Sequence, residues 1–363
     1  MSKEKVEDLV KTALKEALDK RKISKATVVE GSEHDSVVDD LFKTTSTKKL
    51  KDNQVFFSDL IYDDTVADNE DFGVTVFQDY PWHESIQSFV PSIKESYVID
   101  KDLASSILMA WELNEKVLCY GPTGAGKSSL IDQLCALTGR PLIRINSTGD
   151  MDSSMIFGQL TAKDGSTIWV DGSVTEAVRY GAVFAWDEWD VTPPEISMGL
   201  QWLLEDDGKL FLKEMPGSTK DKQIIPHEHF KLVASGNTQG QGDDTGAHAG
   251  TNVQNSATLD RFGTSVYIDY LHPAIEEQML TKKFPDITKK FAKELVKLAN
   301  LIRHAYKANQ FNLTVSPRSL FGICRKVTAG VPLRKAYTLV YLNKLNDTQR
   351  KVADELFTKV YGI

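Results

Sequence analysis

From about residue 90, apolar runs of strand length alternate with segments whose apolar residues recur at helical spacing. Four runs predict buried strands: EKVLCYG, PLIRINS, AVFAWD and FKLVASG. Between them, SSLIDQLCALTG predicts a helix closed by glycine, and PPEISMGLQWLLEDDG predicts a helix begun by prolines and stopped by glycine. This alternation predicts a parallel sheet with helices on both faces.

Both ends of the chain have helical periodicity. Residues 4–20 place five apolar side chains on one face of a helix: Val6, Leu9, Val10, Leu14 and Leu18. From about residue 272 onward the spacing is again helical, which predicts a separate all-α module. We therefore predict an N-terminal amphipathic helix (1–26), a linker (27–51), an acidic strand-containing unit (52–88), an α/β core (89–271) and a helical lid (272–363).

The net charge of −8 is unevenly distributed along the chain. Residues 52–93 contain nine acidic residues and no Lys or Arg, whereas residues 270–363 contain 17 basic and 7 acidic residues. These segments form two solvated faces or, alternatively, surfaces that meet between neighbouring copies in an assembly. Binding of nucleic acid to the basic tail is disfavoured because the tail has no recognised binding motif.

The chain has 41% hydrophobic residues but no apolar run long enough to span a bilayer. Its charged start, MSKEKVEDLV, does not have the pattern of a signal peptide. Cys119, Cys135 and Cys324 lack the spacing of metal ligands, and so sparse a set fits reduced thiols. The sequence therefore predicts a cytoplasmic protein without a membrane segment.

A phosphate-binding loop follows the first strand and precedes a helix, which is the context that the GxxxxGK[ST] pattern requires. Its glycines allow backbone N–H groups to surround phosphate oxygens, and the helix N-terminus favours negative charge. Lys127 would reach the β and γ phosphates, and Ser128 would ligate Mg²⁺. The predicted nucleotide-binding residues are Gly121, Pro122, Thr123, Gly124, Ala125, Gly126, Lys127, Ser128 and Ser129.

Two carboxylates end the strand GAVFAWDE. Because ligand sites of parallel sheets lie at the carboxyl ends of the strands, Asp187 and Glu188 would face the bound phosphates. Asp187 suits binding of Mg²⁺ through a water molecule, and Glu188 could polarise the attacking water. A GTPase is disfavoured because the only string similar to NKxD is NKLN at 343–346, which lacks the acid and lies in the helical tail.

A long polar loop, ASGNTQGQGDDTGAHAGTNVQNSATLDRFG, follows the strand KLVA. Asn237 at its start could hydrogen-bond the γ phosphate or the water. Phosphoryl transfer also needs positive charge near the transferred group, often from an arginine of a neighbouring subunit, and Arg261 fits that role. Arg318 begins a helix of the basic module, which would act as a lid that senses nucleotide.

Together these residues resemble the AAA+ ATPases: Walker A at 121–128, Walker B at 183–188, sensor 1 at Asn237, an arginine finger at Arg261 and sensor 2 at Arg318. Within that superfamily the chain is similar to the MoxR group, especially to CobS-type ATPase subunits of aerobic cobaltochelatases. FAWDEWD, LLEDDGKLFL and the polar loop carry this closer likeness. The resemblance implies an α/β fold: a three-layer AAA+ P-loop sandwich with a parallel sheet, a C-terminal all-α lid and a small N-terminal α+β segment.

The resemblance also implies ATP and Mg²⁺ as cofactors and a homo-oligomer, a hexameric ring in which Arg261 reaches the next protomer's site. In this group sensor 2 also acts on a neighbouring site, which implies the same for Arg318. The implied partners are a protein with a von Willebrand factor A domain and a chelatase subunit. Hairpins expected at Asp164-Gly165 and Asp207-Gly208 would contact the remodelled partner, or are ordinary exposed hairpins.

The leading hypothesis is thus an ATP-hydrolysing ring that remodels a protein partner. The alternatives are a motor that translocates nucleic acid and a nucleotide-binding scaffold without turnover. His227-Glu228-His229 is disfavoured as a metal site because no third ligand is apparent. Trp186, Trp189 and Trp202 could stack a base, but packing around the Walker B strand is the favoured role.

Overall fold

The computed structural model describes residues 50–51, 53–63, 65–66, 71–240, 242 and 250–362. The predicted N-terminal helix (1–26), nearly all of the linker (27–51) and the middle of the polar loop lie outside the described residues. The chain divides into two units, Met1–Lys49 and Leu50–Ile363, and all of the described elements belong to the second unit. None of its described helices combines the length and apolarity that crossing a bilayer requires.

A five-stranded parallel sheet forms the centre of this unit, with strand order β11-β3-β10-β7-β4. Its strands are β3 (Val117–Tyr120), β4 (Leu142–Asn146), β7 (Val183–Asp187), β10 (Lys231–Gly236) and β11 (Thr264–Tyr267). All four pairings are parallel, so every strand ends at the same edge of the sheet. The predicted α/β fold class with a parallel sheet is confirmed.

Alternate residues of each central strand face opposite layers, because successive side chains of a strand point to opposite faces. In β7, Phe184 and Trp186 belong to one apolar cluster with Val174 and Val178 of helix α6 (Ser173–Tyr180). Val183 and Ala185 belong to the other cluster, which includes residues of α3 (Lys101–Glu112) and α4 (Lys127–Thr138). Burial on both faces explains why these strands are continuously apolar.

The remaining elements before the lid are short. The strands are β1 (Gln54–Phe56), β2 (Gly73–Thr75), β5 (Gly158–Lys163), β6 (Ser166–Asp171), β8 (Leu210–Phe211) and β9 (Gln223–Ile224). The helices are α1 (Phe57–Ile61), α2 (Glu84–Gln87), α5 (Ser153–Phe157), α7 (Pro194–Gly199), α8 (Gln201–Leu204) and α9 (Ser256–Leu259).

The acidic segment packs onto the α/β core. Its strands β1 and β2 pair antiparallel. Phe57 stacks on Phe72 with ring centroids 5.3 Å apart, and both rings join the apolar cluster that contains Trp111 of α3. The carboxylate of Glu112 accepts hydrogen bonds from the side chain of Gln54 and from the backbone of Thr75. The predicted boundaries of this segment, residues 52–88, stay a prediction.

Of the two hairpins predicted after β4, the structure contains one. The hairpin at Asp164-Gly165 is confirmed: β5 and β6 pair antiparallel, and both turn residues have positive φ, as a type I′ turn requires. The hairpin at Asp207-Gly208 is wrong, because β8 pairs with β9 across residues 212–222. A Cβ at Gly208 would lie 2.1 Å from the carbonyl oxygen of Trp202, so this glycine permits a close backbone contact and not a hairpin turn.

The helix predicted over residues 193–208 is also interrupted. Helix α7 ends at Gly199, and α8 begins two residues later at Gln201. Glycine is a poor helix former, and a Cβ at Gly199 would lie 2.7 Å from the ring of Phe157. The chain therefore enters the segment after Leu204 from a separate short helix.

The C-terminal region is helical and has its own apolar core, as predicted. Its helices are α10 (Pro273–Lys283), α11 (Lys289–Lys307), α12 (Pro317–Thr328), α13 (Leu333–Val340) and α14 (Asp347–Tyr361). A buried ion pair connects α10 to α11, because Arg303 donates to both carboxylate oxygens of Glu276, at 2.7 and 2.8 Å. The guanidinium of Arg303 also lies 4.1 Å from the ring centroid of Tyr270, which precedes the lid.

Candidate nucleotide-binding site

The predicted phosphate loop lies between the end of β3 and the start of α4. Gly121, Gly124 and Gly126 all have positive φ, a conformation that favours glycine. A Cβ at Gly121 would lie 2.1 Å from the carbonyl oxygen of Ile268, so no other residue fits there. Helix α4 begins at Lys127 without a side-chain cap, which leaves its first N–H groups available to an anion. This backbone arrangement fits a bound phosphate chain.

Lys127 is buried at the base of this loop. Its Nζ donates to the carbonyl oxygens of Gly121, at 2.7 Å, and Pro122, at 3.2 Å. It also donates to Oδ1 of Asn237 at 3.1 Å. Burial lowers the pKa of Lys127, while the nearby carboxylates of Glu188 and Asp190 act in the opposite direction. The ammonium group thus has three acceptors, two from the loop and one from Asn237.

Asn237 connects this lysine to the predicted catalytic carboxylate. Its Nδ2 donates to Oε2 of Glu188 at 2.7 Å. The contact arises because β7 and β10 are adjacent, parallel and in register from Lys231 and Val183 onward. The structure therefore brings together three predicted residues that are far apart in the sequence: Lys127, Glu188 and Asn237.

Glu188 has an unusual backbone conformation, with φ of 53° and ψ of 39°. Positive φ is uncommon for a residue other than glycine and occurs preferentially at functional sites. Burial raises the pKa of Glu188, and the neighbouring charge of Asp190 raises it further, whereas Lys127 and Arg318 lower it. A carboxylate with a raised pKa is the stronger base, which suits a group that activates water.

Asp187 and Ser128, the predicted Mg²⁺-binding residues, are linked through Arg144. Oδ2 of Asp187 lies 3.1 Å from Nε of Arg144, and Nη2 of Arg144 donates to the carbonyl oxygen of Ser128 at 2.9 Å. Oδ1 of Asp187 accepts a hydrogen bond of 2.7 Å from Ser235. A hydroxyl and a carboxylate beside a phosphate loop are oxygen ligands of the kind that Mg²⁺ prefers, so these residues fit the ion.

Two further residues of the site could not be predicted from the motifs. Arg144 is the only charged residue in the apolar run PLIRINS, and this exception was the signal that could have identified it. Asp190 follows the carboxylate pair in FAWDEWD, but its buried position could not be read from the pattern. Both act on residues that the sequence did predict.

Asp190 anchors the turn that carries Asn237. It is fully buried, and its Oδ2 accepts hydrogen bonds from the backbone N–H groups of Asn237, at 3.0 Å, and Thr238, at 2.8 Å. The hydroxyl of Thr238 donates to the same oxygen at 2.8 Å. Three donors on one buried carboxylate oxygen fix the backbone of this turn.

Arg318 lies beside the phosphate loop of its own chain. It lines a cavity of about 330 Å³ together with Thr123 and Gly124 of the loop. The lid also approaches the loop at Ser316, since a Cβ at Gly124 would lie 2.6 Å from that side chain. The structure thus places Arg318 near the phosphate loop of its own chain, and its expected action on a neighbouring site stays a prediction.

Arg261 lies away from the loop of its own chain. It precedes β11, whose first residue, Thr264, is in register with Val117, the first residue of β3. The phosphate loop follows the last residue of β3, and a four-residue strand is roughly 13 Å long. Arg261 and Lys127 are therefore at opposite edges of the sheet. Nε of Arg261 instead lies 2.6 Å from Oε1 of Glu205.

The disfavoured alternatives have ordinary structural roles. Trp186 is buried and donates to the hydroxyls of Ser147 and Thr192. Trp189 is buried as well, whereas 41% of Trp202 is exposed. His229 packs against the rings of Phe77, Tyr80 and Trp82. Within the described ranges, no group of three or more His, Cys, Asp or Glu side chains could hold a metal ion.

Replacing Asp190 tests whether it fixes the Asn237 turn. Asp190→Ala removes a fully buried acceptor and leaves three partly buried donors without their partner, so we expect the free energy of unfolding to fall by roughly 2–4 kcal/mol. Equilibrium urea unfolding measures this change. Asp150→Ala removes an exposed aspartate and should change the free energy by less than about 0.5 kcal/mol. Equal effects of the two substitutions would show that Asp190 does not anchor the turn.

Comparison with known proteins identifies two domains. The family model for the AAA domain of the dynein-related subfamily matches residues 116–262, and the model for the CbbQ/NirQ/NorQ C-terminal region matches residues 276–356. The chain is 27% identical over 309 residues to the aerobic cobaltochelatase subunit CobS of Sinorhizobium sp, which covers 83% of this chain and 92% of CobS.

Two other similar proteins differ from this chain in extent or in sequence. Midasin of Dictyostelium discoideum is 29% identical over 198 residues, which are 53% of this chain and 3% of Midasin. The structure of the RuvB Holliday junction branch migration motor of Thermotoga maritima superposes with a TM-score of 0.38 at 15% identity, covering 77% of this chain and 70% of RuvB. This structural similarity is too low to support an argument about function.

The two domain matches together span the P-loop core and the helical lid, and the similarity to CobS extends over most of both chains. The chain therefore combines an AAA domain with a CbbQ/NirQ/NorQ C-terminal region, and these similarities support a MoxR-type AAA+ ATPase.

Proposed function

We propose that this protein hydrolyses ATP in a homo-oligomeric ring and uses the energy to remodel a protein partner. The observation that carries this proposal is the hydrogen-bonded series Lys127–Asn237–Glu188 at one edge of the sheet. In this series a buried lysine, an amide and a carboxylate contact one another. Such a group has the parts that phosphoryl transfer to water needs.

The residues of the phosphate loop, 121–129, hold the triphosphate through backbone N–H groups and the N-terminus of α4. Lys127 exchanges its contacts with the loop carbonyls for the β and γ phosphate oxygens. Ser128 and Asp187 would hold Mg²⁺, which would neutralise phosphate charge when bound. Arg144 keeps the carboxylate of Asp187 directed toward the loop.

Glu188 polarises the attacking water and accepts its proton. Asn237 contacts both Glu188 and Lys127, so it can report the presence of the γ phosphate to the carboxylate. Asp190 maintains the position of Asn237 through the backbone of the turn. Arg318 contributes positive charge from the lid beside Thr123 and Gly124.

A neighbouring protomer completes the site with Arg261. This proposal is supported by the position of Arg261 at the edge of the sheet opposite to its own phosphate loop. A positive charge there cannot act on the chain's own nucleotide, but it is available to another copy. Repeated head-to-tail contacts of this kind close into a ring, and we propose a hexamer.

The protein partner would contact the β5–β6 hairpin. Leu160, Ile168 and Val170 of this hairpin are between 38% and 47% exposed, an unusual concentration of apolar surface on a small element. We propose a partner with a von Willebrand factor A domain. Because the relative CobS is by name a cobaltochelatase subunit, a chelatase that inserts cobalt as its substrate is the proposed client. The three cysteines are buried free thiols, which supports a cytoplasmic location.

A motor that translocates nucleic acid is the second candidate. The basic lid supports it, but the relation to CobS and the match to the CbbQ/NirQ/NorQ C-terminal region do not favour it. Stimulation of ATP hydrolysis by single-stranded DNA, with strong dependence on salt concentration, would support this alternative.

Glu188→Gln separates ATP binding from hydrolysis. The amide retains the hydrogen bond to Asn237 but cannot accept a proton, so we expect turnover to fall by about 10²–10⁴-fold. Binding of a fluorescent ATP analogue should be unchanged. Near-normal steady-state turnover would exclude Glu188 as the base, and loss of nucleotide binding would indicate a structural role. A protein that never hydrolyses ATP would support the scaffold hypothesis.

Arg261→Ala tests completion of the site by a neighbour. Alone, the variant should bind the ATP analogue normally and lose about 10³-fold in turnover. Lys127→Ala should lose nucleotide binding and turnover but retain an intact Arg261. Mixed assemblies of the two inactive variants should therefore recover measurable phosphate release. The absence of recovery in assemblies shown to contain both variants would contradict action between protomers.

A further inference from the structure

The partner of Arg261 within its own chain is Glu205, at the end of helix α8. The distance from Nε of Arg261 to Oε1 of Glu205 is 2.6 Å. The side chains of Arg261 and Glu205 are 28% and 49% exposed, so the contact lies at the surface. The two residues are 56 positions apart in the sequence, and nothing in the motifs around either residue predicts their pairing.

The backbone on both sides of this contact is fixed. Nζ of the buried Lys116, directly before β3, donates to the carbonyl oxygen of Glu205 at 2.8 Å. The N–H group of Gly208 donates to the same oxygen at 3.1 Å. Gln201 of α8 also donates to the buried hydroxyl of Thr258 in α9, the helix that precedes Arg261. Glu205 is therefore held in place relative to the helix that precedes the arginine.

The contact occupies one side of the guanidinium group. Nε of Arg261 is directed to Glu205, and Nη1 donates to the carbonyl oxygen of Ala257. Within the described residues, Nη2 of Arg261 has no hydrogen-bond partner. A planar guanidinium held through Nε and Nη1 has a fixed orientation and leaves Nη2 available to another acceptor. The geometry thus selects one orientation of a long and otherwise flexible side chain.

We propose that Glu205 is a positioning residue for Arg261. The carboxylate of Glu205 orients the guanidinium of Arg261 toward the nucleotide of a neighbouring protomer. This inference rests on the proposed role of Arg261 as a finger that acts between protomers. The ion pair joins two partly exposed side chains, and solvent screens it. It is therefore too weak to prevent the guanidinium from binding a triphosphate. It is sufficient to reduce the number of side-chain conformations, and correct orientation of a reacting group affects rate strongly.

The test compares Glu205→Ala with Glu205→Gln. We expect Glu205→Ala to lower kcat by about 10-fold without changing the affinity for a fluorescent ATP analogue. Glu205→Gln retains an acceptor oxygen at the same place, so its kcat should recover to within about 3-fold of the unchanged protein. Asp207→Ala, which removes another acid from the same exposed loop, is the matched control and should leave kcat unaltered.

A double-variant cycle identifies the route of the effect. If Glu205 acts through Arg261, adding Glu205→Ala to Arg261→Ala should cause no further loss of kcat. Unchanged or raised kcat in Glu205→Ala, or a loss of the same size with and without Arg261, would overturn the inference. Should Arg261→Ala itself retain full turnover, the proposed finger fails, and the two failures are thereby distinguished.

Discussion

The parallel alignment of β3, β7 and β10 is the constraint on which the site depends. It places the ends of three separate chain segments at one edge of the sheet: the phosphate loop, the carboxylate pair and the polar turn. Asn237 can contact both Lys127 and Glu188 only because β10 lies between β3 and β7. The fully buried Asp190 then fixes the turn by accepting hydrogen bonds from the backbone N–H groups of Asn237 and Thr238.

Because all five strands are parallel, the carboxyl ends and the amino ends of the strands carry different functional residues. Nucleotide-binding groups gather at the carboxyl ends of the strands, whereas Arg261 and Glu205 lie at the amino ends. One chain therefore carries a binding site at one edge and a complementary cation at the other. The lid adds Arg318 and Ser316 beside the phosphate loop, so movement of the lid would alter the site of its own chain. The proposed head-to-tail ring would use both edges of every protomer.

Residues within short motifs could be predicted from the sequence, and contacts between distant segments could not. The P-loop spacing and the acidic end of an apolar strand identified Lys127, Ser128, Asp187 and Glu188, because those patterns reflect local backbone geometry. The sequence did not predict Arg144, Asp190 or Glu205, because their contacts are with segments that are distant in the sequence. Asp207-Gly208 was misread as a hairpin because a glycine that permits close backbone contact looks the same in sequence as a turn glycine.

If Arg261 completes a neighbour's site, catalysis requires that two protomers meet. The most direct measurement is ATP turnover per protomer as a function of protein concentration, with the assembly state followed by sedimentation velocity in ATP and Mg²⁺. We expect turnover per protomer to rise with the assembled fraction and to approach zero for the monomer. Full turnover by a protein that remains monomeric would contradict it.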